Sequence, residues 1–146
     1  EPADPRDQIL LYNYVAIGSA GQARKPDSTW IGMESLPNSI AKIRTLAAYC
    51  EERLAERFSG RINKLTELYV ALAAEPAAGQ SASAAFVIPA LPCVPLLLLF
   101  WEAELEDGFP AKVKVLFDQH VLDFLDLESL VFAAERMADR LLELDG

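Results

Sequence analysis

The chain has 146 residues and a mass of 16.1 kDa, near the commonest size of a single domain, so two independent cores are not expected. Apolar residues make up 52% and charged residues 24%, which excludes a disordered segment and a disulfide-stapled mini-protein. Thirteen Lys and Arg against 22 Asp and Glu leave a net charge of -9, the wrong sign for neutralising a phosphate backbone, so nucleic acid is disfavoured as a partner.

The charge is unevenly spread. Residues 76–146 carry twelve acidic and four basic side chains, whereas residues 1–75 carry ten and nine. The plain reading is a solvated acidic surface; the functional one is an acidic C-terminal half that meets a basic protein partner.

Asp4-Pro5 opens a helix, with an N-cap carboxylate, Pro at the first helical position and Asp7 in the first turn. The run from Ile9 to Ile17 is apolar nearly all round and predicts a helix buried on more than one side. It has no basic region before it, so it does not read as a signal peptide. Gly18 to Gly21 ends it. That stretch lacks GxGxxG spacing and the Lys-Ser/Thr of a phosphate loop, so no nucleotide site is implied. An extended piece at Thr29 to Glu34 and a turn at Leu36-Pro37-Asn38-Ser39 lead to a second helix. Its stripe is Ile40, Ile43, Ala47, Cys50, Leu54 and Phe58, and Gly60 stops it. A third helix is expected from Ile62 to Glu75, ended by Pro76.

A small-residue loop over residues 77–83 divides this helical part from a strand-rich one. Three strands are predicted, Ala84 to Ile88, Leu96 to Glu104 and Ala111 to Phe117, with a hairpin turn at Asp107-Gly108 between the last two. The middle strand has no polar residue from Leu96 to Trp101 and should be covered on both faces; the last alternates with Lys112 and Lys114 and should have one wet face. The uncharged stretch Ala84 to Trp101 reaches membrane-spanning length, but Pro89, Pro92 and Pro95 break any helix through it, so the segment reads as extended and buried and no membrane association follows. The last helix starts at Asp126, a good N-cap, and carries Leu127, Leu130, Ala134, Met137, Leu141 and Leu144 on one stripe. This stripe packs on the sheet or forms the seam of a homodimer.

Cys50 and Cys93 lie far apart without CxxC spacing, and read as ordinary buried thiols in a reducing cytoplasm; no cofactor and no metal is expected within this chain. The polar residues with chemical potential are few. Asp118 and His120, just after a strand, could form a carboxylate-oriented imidazole, against the plainer reading in which Asp118 caps a turn. Glu102 and Glu104 share a strand face at a hairpin end with Glu106 and Asp107, against the plainer reading of a charged tip guarding a sheet edge. A single apolar pocket lined by Trp101, Asp118 and Glu102 would favour the enzyme or ligand-binding reading; their placement on a flat convex surface would count against it. No nucleophile elbow, metal motif or phosphate loop is present in the sequence.

Several stretches carry a family resemblance: Gln8-Ile9-Leu10-Leu11-Tyr12-Asn13-Tyr14, Trp30 to Pro37, Leu91-Pro92, Val94-Pro95-Leu96, the run from Phe100 to Asp118, and Leu122-Asp123-Phe124-Leu125. Together they resemble an uncharacterised family, a domain of unknown function, from anaerobic bacteria and archaea. Some of its members are labelled as iron-sulfur cluster proteins in settings of one-carbon and corrinoid metabolism. The four-cysteine module of those members is missing from these residues. The resemblance also implies a strand-rich piece ahead of the first helix, so that Glu1 would mark a truncation. Asp118 and Glu102 match positions of the family pattern; His120 does not.

These observations predict an α+β fold: one domain over residues 1–146, helical over 1–76 and strand-rich over 84–146, possessing a small, mainly antiparallel sheet of three or more strands covered by helices. The function expected is a non-catalytic accessory or binding module linked to anaerobic redox or one-carbon metabolism. The alternative is an enzyme or small-ligand or cofactor-binding protein using Asp118, Glu102 and His120, with Trp101 beside them.

Overall fold

The computed structural model describes residues 4–18 and 25–146. The glycine stop expected at Gly18 to Gly21 lies mostly outside them. Five antiparallel strands form one sheet in the order β1-β5-β4-β3-β2: β1 Trp30–Ile31, β2 Glu75–Pro76, β3 Ala84–Leu91, β4 Val94–Trp101 and β5 Lys112–Asp118. The helices are α1 Pro5–Gly18, α2 Ile40–Leu46, α3 Glu52–Phe58, α4 Ile62–Tyr69 and α5 Leu127–Asp145. The fold is thus the expected α+β class.

The central strand earns its place by composition. Leu96 to Phe100 are all buried, with Leu96, Leu98 and Phe100 in the main core beside Phe58, Leu65 and Leu130, and Leu97 and Leu99 out of solvent on the other face. In β5 the alternation holds: Val113, Val115 and Phe117 are buried, Lys112 is exposed and Lys114 half-buried. The turn at Asp107-Gly108 also forms, Gly108 taking a left-handed φ of 76° that a β-carbon would disfavour.

Where the three prolines stand, the structure corrects the sequence reading. The chain does not pass through as one extended run; β3 and β4 are two arms of a hairpin joined by Pro92-Cys93, with Leu91 opposite Val94 and Pro89 opposite Pro95. Proline locks φ at the first turn residue and Cys93 follows at φ 64°, which reverses the chain in two residues. Cys93 is therefore exposed rather than buried, whereas Cys50 is buried as expected.

The third helix is shorter than predicted. α4 stops at Tyr69, tightens into a 3-10 turn over Val70–Leu72 and ends at Ala73 in the left-handed region, φ 57°. That releases Glu75–Pro76 to join the sheet as an edge strand, where a proline costs no ladder donor.

The second helical stretch runs from Ile40 to Phe58 as expected, but through a π-helical turn at Ala47–Glu51. Leu46, Cys50, Leu54 and Phe58 are buried, while Ile40 and Ile43 at its start are 87% and 37% exposed, contrary to the predicted stripe. The π turn lies against β5. Glu51 there accepts the Val115 amide at 2.8 Å, on a part of β5 that β1 leaves uncovered because β1 pairs only with Phe117 and Asp118. The carboxylate closes an open sheet edge. Its partial burial raises its pKa.

In α5 the side chain of Asp126 accepts the Ser129 amide, the predicted N-cap. Leu130, Ala134, Met137 and Leu141 are buried and Leu144 is 41% exposed, so the stripe that could have made a dimer seam is occupied by the protein's own core.

Candidate functional site

The residues singled out by sequence fall into two groups at opposite ends of the sheet. Phe117 pairs with Leu96, and Lys112 with Trp101, so Asp118 and Trp101 lie about 20 Å apart at roughly 3.3 Å per residue. Asp118 and His120 are together at one end; Glu102 and Trp101 are together at the other.

Asp118 is 1% exposed. Its Oδ2 accepts the amides of Asp27 and Ser28, each at 2.9 Å, and its Oδ1 accepts the His120 amide at 2.9 Å. The carboxylate thus caps the turn after β5 and pins the segment that enters β1. Ser28 sits there at φ 62°, a left-handed conformation that this anchoring sustains. His120 Nδ1 lies 3.3 Å from the Lys25 carbonyl oxygen, 3.7 Å from Asp118 Oδ1 and 3.9 Å from Asp27 Oδ2. Asp27 itself accepts the Thr29 amide and the Gln119 side chain, which hold its pKa below the usual carboxylate range.

Asp27, Asp118 and His120 are the group among the described residues whose potential ligand atoms converge, all within 4.8 Å of one another. Each carboxylate oxygen already takes at least one hydrogen bond from the protein, so the arrangement reads first as a loop anchor. Asp27 escaped the sequence reading because 91 residues separate it from Asp118 and only the β1 to β5 pairing brings it close.

At the other end, Glu102 Oε1 accepts the Gly60 amide at 2.7 Å and the Ala103 amide at 2.8 Å, tying the link between α3 and α4 to the end of β4. Trp101 lies half-buried with Lys112 Nζ 5.6 Å from its ring centre, beside Phe109 and Pro110 in a shallow apolar depression. Neither end matches a four-cysteine cluster. Cys50 is sealed in the core, where burial pushes its thiol pKa up, and Cys93 stands on the β3–β4 turn.

A third surface was not singled out by sequence. α1 carries its charges on the inward side: Arg6 binds Asp4 and Asp139, and Arg136 of α5 binds Asp7 at 2.9 Å. Asn13 donates to Ser129 Oγ across the same seam at 2.9 Å. The outward side shows Ile9, Leu11, Tyr12 and Val15, exposed by 45%, 52%, 74% and 66%. Only Leu10 of this helix is buried among its described side chains. The helix predicted to be buried on several sides is covered on one.

The acidic second half is also less available than its charge suggests. Asp139 pairs with Arg6, Arg53 and Arg136, Glu135 with Arg6, and Asp145 with Arg57 and Arg61. Arginines of the first half therefore neutralise carboxylates of the second within one molecule. The hairpin tip, Glu104, Glu106 and Asp107, stays exposed.

No curated protein and no solved structure matches the chain. A family profile described as "Domain of unknown function (DUF3786)" matches residues 1–140, nearly the whole length, and the chain belongs to that family.

Proposed function

We propose that this domain is a non-catalytic accessory module that docks onto a second protein through the outward face of α1. The observation that carries this reading is the inversion of that helix. Its charged residues are consumed by α5, and the face left over presents Ile9, Leu11, Tyr12 and Val15 to solvent. Burying such a face removes apolar area from water without desolvating a charge. A net charge of -9 on each copy opposes self-association, so the occupant is a different protein with an apolar patch. A link to anaerobic redox or one-carbon metabolism draws its support from the sequence resemblance alone.

The reading is tested by tagging the full chain in its native cells and comparing it with Tyr12→Arg/Val15→Arg. The expected result is one stoichiometric protein retained at about 1 M salt, where charges are screened within about 3 Å, and lost in the variant at unchanged melting temperature. Retention by the variant, or loss of the partner at high salt from the unaltered protein, would overturn it; the latter would favour the acidic surface and a basic partner.

The alternative, an enzyme or ligand-binding protein, draws on His120 within 4 Å of Asp118 and Asp27. It expects a divalent ion such as zinc or manganese to bind the purified chain in a calorimeter, and Asp27→Ala to abolish that binding.

A further inference from the structure

A cleft of about 470 Å³ opens between α1, α5, the turn that follows α4 and the last residues of β3. Small-molecule sites span about 300–1,000 Å³ and combine apolar walls with a few placed polar groups. Here the walls are built from Leu10, Leu11, Leu72, Ile88, Leu91 and Met137.

Among the described residues, three charged ones border the cleft: Asp7, Arg136 and Arg140. Two of them are committed. Arg136 Nε donates to Asp7 Oδ1 at 2.9 Å, and its Nη1 reaches Asp139 Oδ2 at 3.1 Å. Arg140 follows one turn later on α5, is exposed, and makes no hydrogen bond or ion pair among the described residues. An uncommitted guanidinium at the mouth of an apolar cleft, in a chain with a large negative excess, singles out an anionic group on the occupant.

The edge of β3 narrows the choice further. Ala77 N–H donates to the Ala85 carbonyl, so Ala85, Val87 and Pro89 direct their backbone groups to that edge. Beyond β2 the next such residue is Pro89, which has no N–H. An added strand would find no donor there, so the occupant is held by its apolar body and its anionic end.

We propose that this cleft binds an amphiphile with a medium-length hydrocarbon chain and a terminal carboxylate, the chain lying between Leu72 and Leu91 over a floor of the nearly buried Ile88 and Met137, and the carboxylate on Arg140. Guanidinium and carboxylate match as a two-pronged pair. This goes beyond protein docking by α1, and its failure would leave that reading standing.

The chain has two methionines, Met137 in the cleft and Met33 buried elsewhere in the core, which makes methyl-labelled Met a reporter with an internal control. Titrating the full chain with decanoate should move the Met137 methyl resonance to saturation and leave Met33 in place. Arg140→Gln, an exposed position, should weaken decanoate about tenfold, the loss of one charge-assisted contact. Ala71→Trp, at an exposed wall position, should block binding. A stationary Met137 resonance would overturn the proposal, as would equal binding of decyltrimethylammonium, equal binding of decanol, or undiminished affinity in Arg140→Gln.

Discussion

Helices α1 and α5 lie side by side and distribute their side chains in opposite ways. In α5 the apolar stripe of Leu130, Ala134, Met137 and Leu141 faces the sheet, and the arginines and carboxylates between them face outward or across to neighbours. In α1 the inward side joins the buried Leu10 and half-buried Tyr14 to charge and hydrogen bonds through Arg6, Asp7 and Asn13, and Ile9, Leu11, Tyr12 and Val15 look out. One helix is a core element; the other is fastened to it and offers an unspent apolar face. The pair teaches that apolar content alone does not place a helix in a core. What the neighbouring helix can pair with decides which side turns in.

The sharpest way to break this contrast is to truncate leucines in both helices. Leu130→Ala in α5, at a fully buried position, should cost about 2–5 kcal/mol in urea unfolding, with a cavity left behind. Leu11→Ala in α1, half exposed, should stay within about 0.5 kcal/mol. Comparable losses at the two sites would show that α1 is a core helix after all.

Next in size is the seam. Asp139 meets three arginines, Arg6, Arg53 and Arg136, and Asp139→Ala should cost roughly 1–2 kcal/mol by leaving them without their shared acceptor. A double-mutant cycle with Arg6→Ala should give a coupling of at least about 0.5 kcal/mol. Additive losses would mean the contact contributes nothing.

Asn13→Ala deprives buried Ser129 of its cross-seam partner, and about 1 kcal/mol should be lost. If Asn13→Ala unfolds at the same denaturant concentration as the unaltered protein, α1 is held by something other than this seam.

The smallest effect is the pH dependence of the same network. The Arg6 guanidinium beside Asp4 lowers its carboxyl from 3.8 to about 2. Asp139 is lowered too, because hydrogen bonds from Arg53 and Arg6 outweigh the upward push of its desolvation. A carboxylate with a depressed folded pKa takes up protons first in the unfolded chain, so its contribution is complete above about 3.8 and fades as pH falls toward 2. Glu51 runs the other way: desolvation raises its folded pKa, so its contribution is present in acid and lost as pH rises. Melting temperatures should therefore fall on acidification below 3.8, and less steeply in Asp139→Asn. A parallel fall in both proteins would remove the seam from the account.

Much of the secondary structure could be read in advance because it depends on neighbours in the chain. The Asp126 N-cap, the α5 stripe, the alternation of Val113, Val115 and Phe117, and the Asp107-Gly108 turn are all signals contained within a few residues. The reading failed where a local signal had two outcomes. Pro89, Pro92 and Pro95 forbid a helix, but whether the chain continues or reverses depended on Cys93 entering the left-handed region. The π turn at Ala47–Glu51 had no sequence mark, since it lets Glu51 reach Val115, 64 residues away.

The candidate residues follow the same division. That Asp118 would cap a turn two residues on was visible in Asp118-Gln119-His120; that it would also hold Asp27 and Ser28 was not, since β1 reaches it only through pairing with the end of β5. Nor could the sequence show that Asp118 and Glu102 stand at opposite ends of one sheet, because strand register decides that.

By itself, then, the amino-acid sequence determined the class of fold, most of the helix boundaries and the excess of acid in the second half, all of which rest on composition, periodicity and short-range capping. Only the tertiary structure decided where that acid is spent. Asp139 and Asp145 find Arg6, Arg53, Arg57 and Arg61 across the chain, and Arg140 is left facing an apolar cleft. The physical reason is distance: an ion pair forms only when packing brings two charges within a few ångströms, whatever their separation along the chain.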